Sequence, residues 1–319
     1  MSVVFRDDQY IPVQGMYAYV TNSGSNSLQV VDISNVANPS LVGSVTTGSN
    51  PTSMALQGKY AYVVNKGGKS LQVIDVSNPV NPLVVGSGST GAGARGVAIQ
   101  GEYAYVVNNG GKSLQIFDVG NPRMLTRVGS GGTLSGTAWA VAVQGKYAYV
   151  VNNGAGTLQV WDVGTPTAPV LVGSAATGTS PTSVTVQGRY AYVVNAGSNT
   201  LQTFDVSNPS APASIGTVTT GNNPSALAVQ GRYAYEVNIV GKSLNVFDLG
   251  GAYVQQMEVG GLEVAAAAVR GSLTGGGDAA IEGGLTAMRG INANGASSIV
   301  SSNTGGYALL VTSRTGALK

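Results

Sequence analysis

A segment of about 43 residues is repeated six times along the chain, and this period restricts the possible folds more than any other feature. The copies begin at Gly15, Gly58, Gly101, Gly145, Gly188 and Gly231. Each copy has one aspartate at the same place, and these aspartates are separated by 43, 43, 44, 43 and 43 residues: Asp32, Asp75, Asp118, Asp162, Asp205 and Asp248. A period of this length indicates one supersecondary unit that is stacked repeatedly.

The second copy shows what each unit contains. Apolar residues alternate with other residues over 60–64 and 71–75, and two more short apolar runs lie at 83–85 and 97–99. Clusters of Asn, Gly, Ser and Pro separate the four runs, and no window has a helical period. Four-stranded sheets repeated at about 40 to 45 residues are typical of a β-propeller. The sequence therefore predicts an all-β, six-bladed β-propeller with four-stranded blades in residues 1–259.

The repeated phrases resemble a known family. GKYAYVVN and SLQVIDVSNP of the second copy, together with LVGS of the first, are similar to the LVIVD repeat, a propeller module found mainly in surface and secreted proteins. The resemblance covers about residues 9–259, six times. It implies the propeller fold, and it implies no shared catalytic motif.

The strand order predicts how the ring closes. If each blade begins with the strand that ends at the repeated Gln-Gly corner, blade one starts at residues 9–14 and blade six ends at about 253–259. The six blades are then contiguous in sequence. We expect blade one to pack directly on blade six, with residues 3–6 near the same seam.

The repeat ends after residue 259. Residues 260–319 are short phrases rich in Gly, Ala and Ser, and they resemble the repeats of trimeric phage and bacterial fibre shafts. The resemblance implies a β stalk shared by three chains, whereas a flexible tail is the alternative. Apolar anchors 7 to 12 residues apart would stack along the stalk: Val269, Ile281, Met288, Ile299 and Leu309.

Few residues could carry chemistry. The chain has no histidine and no cysteine, which excludes a Ser/His/Asp triad, thiolate chemistry, disulfides and most zinc sites. The aspartates recur in every blade, whereas a catalytic group is needed once per site, so we interpret them as turn residues. The GxGxxG match at 86–91 and the Gly-Lys-Ser triplets precede strands instead of helices, which argues against nucleotide binding. The sequence predicts no catalytic residue, no cofactor and no metal.

The candidate ligand site comes from one position at which the copies differ. Five residues before each repeated Gln, the first strand of the blade begins at the channel mouth, on the side of the hairpin at 65–70. The residues at this position are Gln9, Thr52, Arg95, Trp139, Thr182 and Ser225. A Trp face suits the C–H patches of a sugar, and an Arg suits an acidic group, so the position predicts a glycan or acidic ligand. The alternative is that Trp139 packs across the channel or under the longer loop of 129–138.

Two further residues that differ from their equivalents in other copies have structural interpretations. Trp161 stands where four other copies have Ile or Phe, and we expect it in the core. Glu236 replaces a valine of the YAYVVN phrase, and we expect a partner across the seam, with Arg6 and Arg270 as candidates.

Composition limits the partners and the location. Charged residues are 9% of the chain and the net charge is +2, which predicts no nucleic-acid binding and no attraction to membranes. No apolar run is long enough to span a bilayer, and acidic residues stand where a signal peptide needs its apolar core, so no signal peptide is visible.

Three functions remain open. The first is a non-enzymatic surface or virion fibre protein, with a propeller head for adhesion to a glycan or receptor on a trimerising stalk. The second is a soluble protein–protein scaffold with a disordered tail. The third is a metal- or carboxylate-dependent hydrolase on a propeller.

Overall fold

Each repeat forms the strands that its phrases predict. The computed structural model describes residues 12–132, 134 and 136–249, and these residues contain strands and turns but no helix. Blade one contains β1 (Val13–Gln14), β2 (Tyr17–Asn22), β3 (Ser27–Asp32) and β4 (Ser40–Thr46). Blade two contains β5 (Pro51–Gln57), β6 (Tyr60–Asn65), β7 (Ser70–Asp75) and β8 (Leu83–Ser89). Blade three contains β9 (Ala94–Gln100), β10 (Tyr103–Asn108), β11 (Ser113–Asp118) and β12 (Thr126–Ser130).

The other three blades follow the same plan. Blade four contains β13 (Ala138–Gln144), β14 (Tyr147–Asn152), β15 (Thr157–Asp162) and β16 (Val170–Ala176). Blade five contains β17 (Pro181–Gln187), β18 (Tyr190–Asn195), β19 (Thr200–Asp205) and β20 (Ala213–Thr219). Blade six contains β21 (Pro224–Gln230), β22 (Tyr233–Asn238) and β23 (Ser243–Asp248). Strands pair antiparallel in chain order within each blade, and the predicted all-β, six-bladed propeller is confirmed.

The apolar alternation of the second strand places a core on both faces of a blade. On β6, Ala61 and Val63 pack towards blade one, whereas Tyr62 and Val64 pack towards blade three. Successive strand residues point to opposite faces of a sheet. A strand in the middle of a blade that packs against both neighbouring blades must therefore be apolar at nearly every position. This requirement explains the repeated YAYVV run. Trp161 is buried in the core between blades three and four, as predicted.

Two repeated contacts join neighbouring blades. The corner glutamine donates to the corner glycine of the next blade, for example from Gln57 Nε2 to Gly101 O at 2.7 Å. On the fourth strand, an ideal Cβ added to Gly86 would lie 2.0 Å from the carbonyl oxygen of Pro122 in the next blade. The glycine of LVGS therefore lets the following turn pack closely against the sheet.

The repeated aspartates hold turns, as predicted. Asp75 Oδ1 accepts hydrogen bonds from the backbone and hydroxyl of Ser77, and Asp75 Oδ2 lies 3.5 Å from Lys59 Nζ. In blade five, hydrogen bonds from Arg189 and Ser207 lower the pKa of Asp205 to about 2. These carboxylates stabilise the corner that follows the third strand.

Blade six differs from the other blades on the face that, in blades one to five, packs against the next blade. Val237, Leu244 and Val246 are 45%, 62% and 54% exposed, whereas the same positions of blade two are fully buried. The predicted packing of blade one on this face is therefore not observed among the described residues. Residues 3–6, most of 9–14 and all of 253–259, on which the predicted closure depends, lie outside the described residues, so the closure of the ring stays a prediction.

Several predictions lie outside the described residues. They are the fourth strand of blade six at 253–259, the division at 259/260, the trimeric stalk of 260–319, and the positions of Gln9, Arg6 and Arg270. In the part of the chain that the structure describes, no helix is long and apolar enough to cross a membrane.

Candidate ligand site at the channel mouth

The predicted site position is a β-bulge in the first strand of five blades. In blade two, Pro51 pairs with Asn65 and Ser53 pairs with Val64, so Thr52 is an extra residue between them. The first strands of blades three to six shift register at the same place. A bulge re-aims a side chain out of the regular ladder. The residues that it re-aims here are Thr52, Arg95, Trp139, Thr182 and Ser225.

These five side chains line one central cavity of about 1540 Å³. Pairing of Pro51 with Asn65 puts the bulge beside the hairpin that joins the second and third strands. The position therefore lies at the predicted end of the channel. The structure brings the described candidates together around this end, while Gln9 is outside the described residues.

Arg95 and Trp139 form a stacked pair between blades three and four. The guanidinium carbon of Arg95 lies 3.3 Å from the centroid of the Trp139 ring. Such a contact is worth about 0.5 to 2 kcal/mol, more when it is desolvated. Arg95 is only 9% exposed, and Trp139 is half-buried. The guanidinium covers one face of the indole, so Trp139 presents only part of its ring to the channel.

The backbones of β9 and β13 approach each other closely beneath this pair. An ideal Cβ on Gly96 would lie 3.1 Å from the carbonyl oxygen of Trp139 and 3.2 Å from Ala140 Cα. Blade three has glycine here where blade two has Ser53. The missing side chain allows β9 to approach β13, which brings Arg95 over the indole.

Trp139 also packs on the core between blades four and five, against a cluster that contains Tyr149 and Val184. This contact is a different one from the sequence-based alternative, in which Trp139 packs across the channel or under the loop of 129–138. One edge of the indole stabilises the blade interface, while the residue still lines the cavity. Arg95 and Trp139 are therefore a packed part of the channel wall.

The hydroxyls of the ring hold neighbouring strands together. Thr52 Oγ1 donates to Ala94 O at 3.1 Å, and Thr182 Oγ1 donates to Pro224 O at 2.9 Å, in each case in the next blade. Ser225 Oγ donates to Val237 O at 3.3 Å. Each hydroxyl has one proton and two acceptor lone pairs, so all three oxygens can still accept hydrogen bonds from a ligand.

The longer connection after blade three carries a buried anchor. Leu134 is 1% exposed and belongs to the core between blades three and four. Thr137 Oγ1 accepts a hydrogen bond from Gly154 N at 2.9 Å. Leu134 therefore anchors this connection in the core, and Thr137 ties it to the hairpin of blade four.

Sequence reasoning missed a buried amide pair in each regular blade. In blade two, Asn65 Nδ2 donates to Gln72 Oε1 at 3.0 Å, and the same oxygen accepts from Gly48 N at 2.7 Å. The signal was the asparagine that ends every YAYVVN phrase. Through Gln72 the pair accepts a backbone hydrogen bond from the connection that enters the blade, so its role is structural.

Glu236 belongs to the version of this network in blade six. Its cross-strand partner is Asn245, where blades one to five have a Val–Gln pair. Asn238 donates to Glu236 Oε1 at 3.1 Å in the amide orientation that satisfies both groups. Burial raises the pKa of Glu236, while hydrogen bonds from Thr220, Asn238 and Asn245 oppose the increase.

The described residues contain no group of three or more His, Cys, Asp or Glu side chains that could hold a metal ion. The site therefore consists of one guanidinium, one indole and a set of hydroxyl and backbone oxygens. This arrangement can orient a polar ligand. Tyr235 and Lys242 also line the cavity.

Solved structures share this fold. A functionally unknown protein from Desulfotomaculum acetoxidans is 15% identical with a TM-score of 0.62, and 73% of this chain and 79% of that chain are covered. A protein from Lactobacillus plantarum is 15% identical with a TM-score of 0.61, covering 71% and 79%. The periplasmic gluconolactonase of Pseudomonas aeruginosa is 18% identical with a TM-score of 0.58, covering 67% and 70%. At these identities the likeness shows the fold alone.

The six sheets around one cavity define a β-propeller repeat protein. The LVIVD repeat model matches residues 6–47, 49–90, 91–133, 135–177 and 179–220, and the chain belongs to the LVIVD repeat family. Each matched segment contains one complete blade and begins close to its first strand. No curated protein matches the chain.

Proposed function

We propose that this chain is a non-enzymatic recognition protein that binds an acidic saccharide at the channel mouth. The observation that carries the proposal is the stacked pair of Arg95 and Trp139, which interrupts a ring of small hydroxyl side chains at one repeated bulge. A repeat protein that needed this position only for folding would use the same small residue in every blade.

The chemistry of the ring favours a ligand that combines a carboxylate with hydroxyls. The guanidinium of Arg95 offers several N–H donors in a fixed plane, which suits a carboxylate. The hydroxyls of Thr52, Thr182 and Ser225 donate their protons to backbone carbonyls, so their oxygens are left to accept hydrogen bonds from a ligand. Sugar hydroxyls can donate to them, and the part of the indole not stacked by Arg95 can contact sugar C–H groups.

The stack also prepares Arg95 for binding. A long side chain loses about 0.5 to 1.5 kcal/mol of conformational freedom when an interface immobilises it. Trp139 already holds the guanidinium at 3.3 Å, so much of this cost is met in the free protein. We therefore expect a modest affinity that depends strongly on both members of the pair.

In the same proposal, the protein is a surface or virion fibre component, and residues 260–319 join three copies. The resemblance of these residues to fibre shaft repeats supports this part. Three weak sites on one particle suit adhesion, because linked sites can raise the apparent affinity by about 10² to 10⁴. Light scattering of the full chain tests it directly, with a mass of about three chains expected.

Titration calorimetry with oligogalacturonate, and with the neutral galactose oligomer as a comparison, tests the site. We expect binding of the acidic oligomer only, and a loss of at least tenfold in Arg95→Gln and Trp139→Ala. Lys112→Gln is the matched control, since it removes a cation from a hairpin at the same end of the channel and leaves the pair intact. Equal affinity for both oligomers, or an equal loss in all three variants, would contradict the proposal.

A further inference from the structure

One hairpin at the channel mouth carries two lysines. Lys66 and Lys69 both lie in the hairpin of 65–70 that joins β6 and β7. Each of the other five described hairpins between a second and a third strand has at most one cation. Lys69 is exposed and Lys66 is half-exposed, so both ammonium groups are accessible from this end of the channel.

These two lysines differ from the cations at the opposite end of the blades. There, four cations each pair with the repeated aspartate of their own blade: Lys59, Lys146, Arg189 and Arg232. Lys66 and Lys69 form no ion pair with another described residue. Apart from the buried Glu236, every described carboxylate lies at the end of the Gln-Gly corners. The described residues therefore leave the positive charge of this hairpin uncompensated, and such a charge attracts anions.

The backbone at Lys69 also argues against a purely structural role for this side chain. Its φ is 46°, in the left-handed region that few side chains adopt. Blades one and five have Asn26 and Asn199 here, and each amide oxygen accepts a hydrogen bond from the connection to the next blade. An ammonium group has no acceptor and cannot replace this bond. Residues kept in such conformations are concentrated at functional sites.

Backbone contacts connect this hairpin to Arg95. Thr90 N donates to Lys69 O at 2.9 Å, and the connection of 90–93 leads from there to the start of β9. Thr52 Oγ1, beside the same hairpin, donates at 3.1 Å to the backbone of the residue before Arg95. The connection is Thr-Gly-Ala-Gly, so it has no long side chain. A short stretch of small residues therefore links the lysine hairpin to the stacked pair.

The residues of this stretch fit an acidic polysaccharide better than a nucleic acid. Proteins that bind single-stranded nucleic acids combine cations with aromatic side chains on which the bases stack. Residues 65–70 and 90–93 contain no aromatic residue. A lysine acts as a flexible point charge, which suits a carboxylate on each successive sugar ring.

We propose that an acidic polysaccharide held by Arg95 and Trp139 continues over the connection of 90–93, and that its next carboxylates pair with Lys69 and Lys66. This inference rests on the proposed function and extends its ligand from one acidic sugar to a polymer. An exposed ion pair changes an affinity by a factor of about 1.5 to 5, so the two lysines together contribute about threefold to tenfold.

Titration calorimetry with a short and a long acidic oligomer tests the inference in the full chain. Lys66→Asn with Lys69→Asn should lower the affinity for decagalacturonate about threefold to tenfold at about 0.01 M salt, and leave the affinity for digalacturonate unchanged. At about 1 M salt the difference should disappear, because the Debye length falls from about 30 Å to about 3 Å. Asparagine already occupies these positions in other blades, as Asn153 and Asn199, so we expect the melting temperature to be preserved.

Arg123→Gln with Arg127→Gln is the matched control, because it removes the same charge from exposed positions near the opposite end of blade three. This control should bind both oligomers as the parent does. Equal losses in the two double variants, an equal loss for both oligomers, or equal binding of decagalacturonate and a single-stranded DNA decamer would overturn the inference. Binding of digalacturonate that survives Arg95→Gln would instead refute the proposed function. Binding that depends on Arg95 while the lysine variant holds decagalacturonate as the parent does would refute the extension alone.

Discussion

Replacing Gly86 by alanine should separate two neighbouring blades. An ideal Cβ at this position would lie 2.0 Å from Pro122 O and 3.0 Å from Leu125 Cδ1, while ordinary contact begins at 3.4 Å. A carbonyl oxygen in a turn cannot rotate away as a flexible side chain can. The added methyl group must therefore push blade three outward or distort β8.

The cost follows from this overlap. Overpacking by one methyl group typically costs about 1 to 3 kcal/mol, and here the neighbour is backbone, so we expect the upper part of that range. Gly216 is the matched control, because it stands at the same repeat position in blade five and no described residue lies within 4 Å of its ideal Cβ. Alanine in a strand avoids a glycine penalty of about 0.5 to 1 kcal/mol, so Gly216→Ala should be neutral or slightly stabilising.

Urea unfolding followed by fluorescence measures both variants in the same background. We expect a lower midpoint for Gly86→Ala, an unchanged or higher midpoint for Gly216→Ala, and similar slopes for all three proteins. If the two substitutions shift the midpoint equally, the close approach of the proline turn does not explain why this position is glycine.

The other predictions concern single groups. Lys112 has a φ of 44°, so Lys112→Gly should stabilise the protein by up to about 1 kcal/mol in urea unfolding. Asp205 has a pKa lowered to about 2 by Arg189 and Ser207, so its stabilising effect is present above the ordinary carboxyl pKa and is lost as the pH falls through about 2. Asp205→Asn should therefore be less stable than the parent at pH 7, with the difference closing in acid. Burial raises the pKa of Glu236, so Glu236→Gln should stabilise the protein at pH 7 and have little effect at low pH, where the parent side chain is neutral.

For each of these three substitutions, the opposite result would contradict the physical reason given. A destabilised Lys112→Gly protein would mean that lysine side-chain contacts outweigh the strained backbone. A pH-independent effect of Asp205→Asn would mean that the turn depends on shape instead of charge. A loss of stability at pH 7 in Glu236→Gln would mean that the hydrogen bonds of the carboxylate exceed the cost of burying it.

The local pattern predicted much of the fold. Strands, turns and the number of blades follow from periods that extend over a few residues and recur six times. The same reasoning located the bulge position, because counting from the corner glutamine compares equivalent backbone sites. Asp75 and Trp161 were also assigned correctly, since a turn carboxylate and a core aromatic depend mainly on their own repeat.

Contacts between blades were harder to predict. The stack of Arg95 on Trp139 depends on the distance between β9 and β13, which the missing side chain of Gly96 permits. The amide pair of Asn65 and Gln72 became visible only when both strands were in place. The open face of blade six was missed for the same reason, because identical residues are buried or exposed according to what packs on them.

The fluorescence of Trp139 during ligand titration tests the proposed recognition site most directly. The chain has two tryptophans, and Trp161→Phe leaves Trp139 as the single reporter, with phenylalanine already present at the same repeat position in blades three, five and six. The account predicts a saturable change in emission with oligogalacturonate, no change with the neutral oligomer, and no saturable change after Arg95→Gln. Emission that ignores the acidic oligomer, or that responds equally after Arg95→Gln, would contradict it.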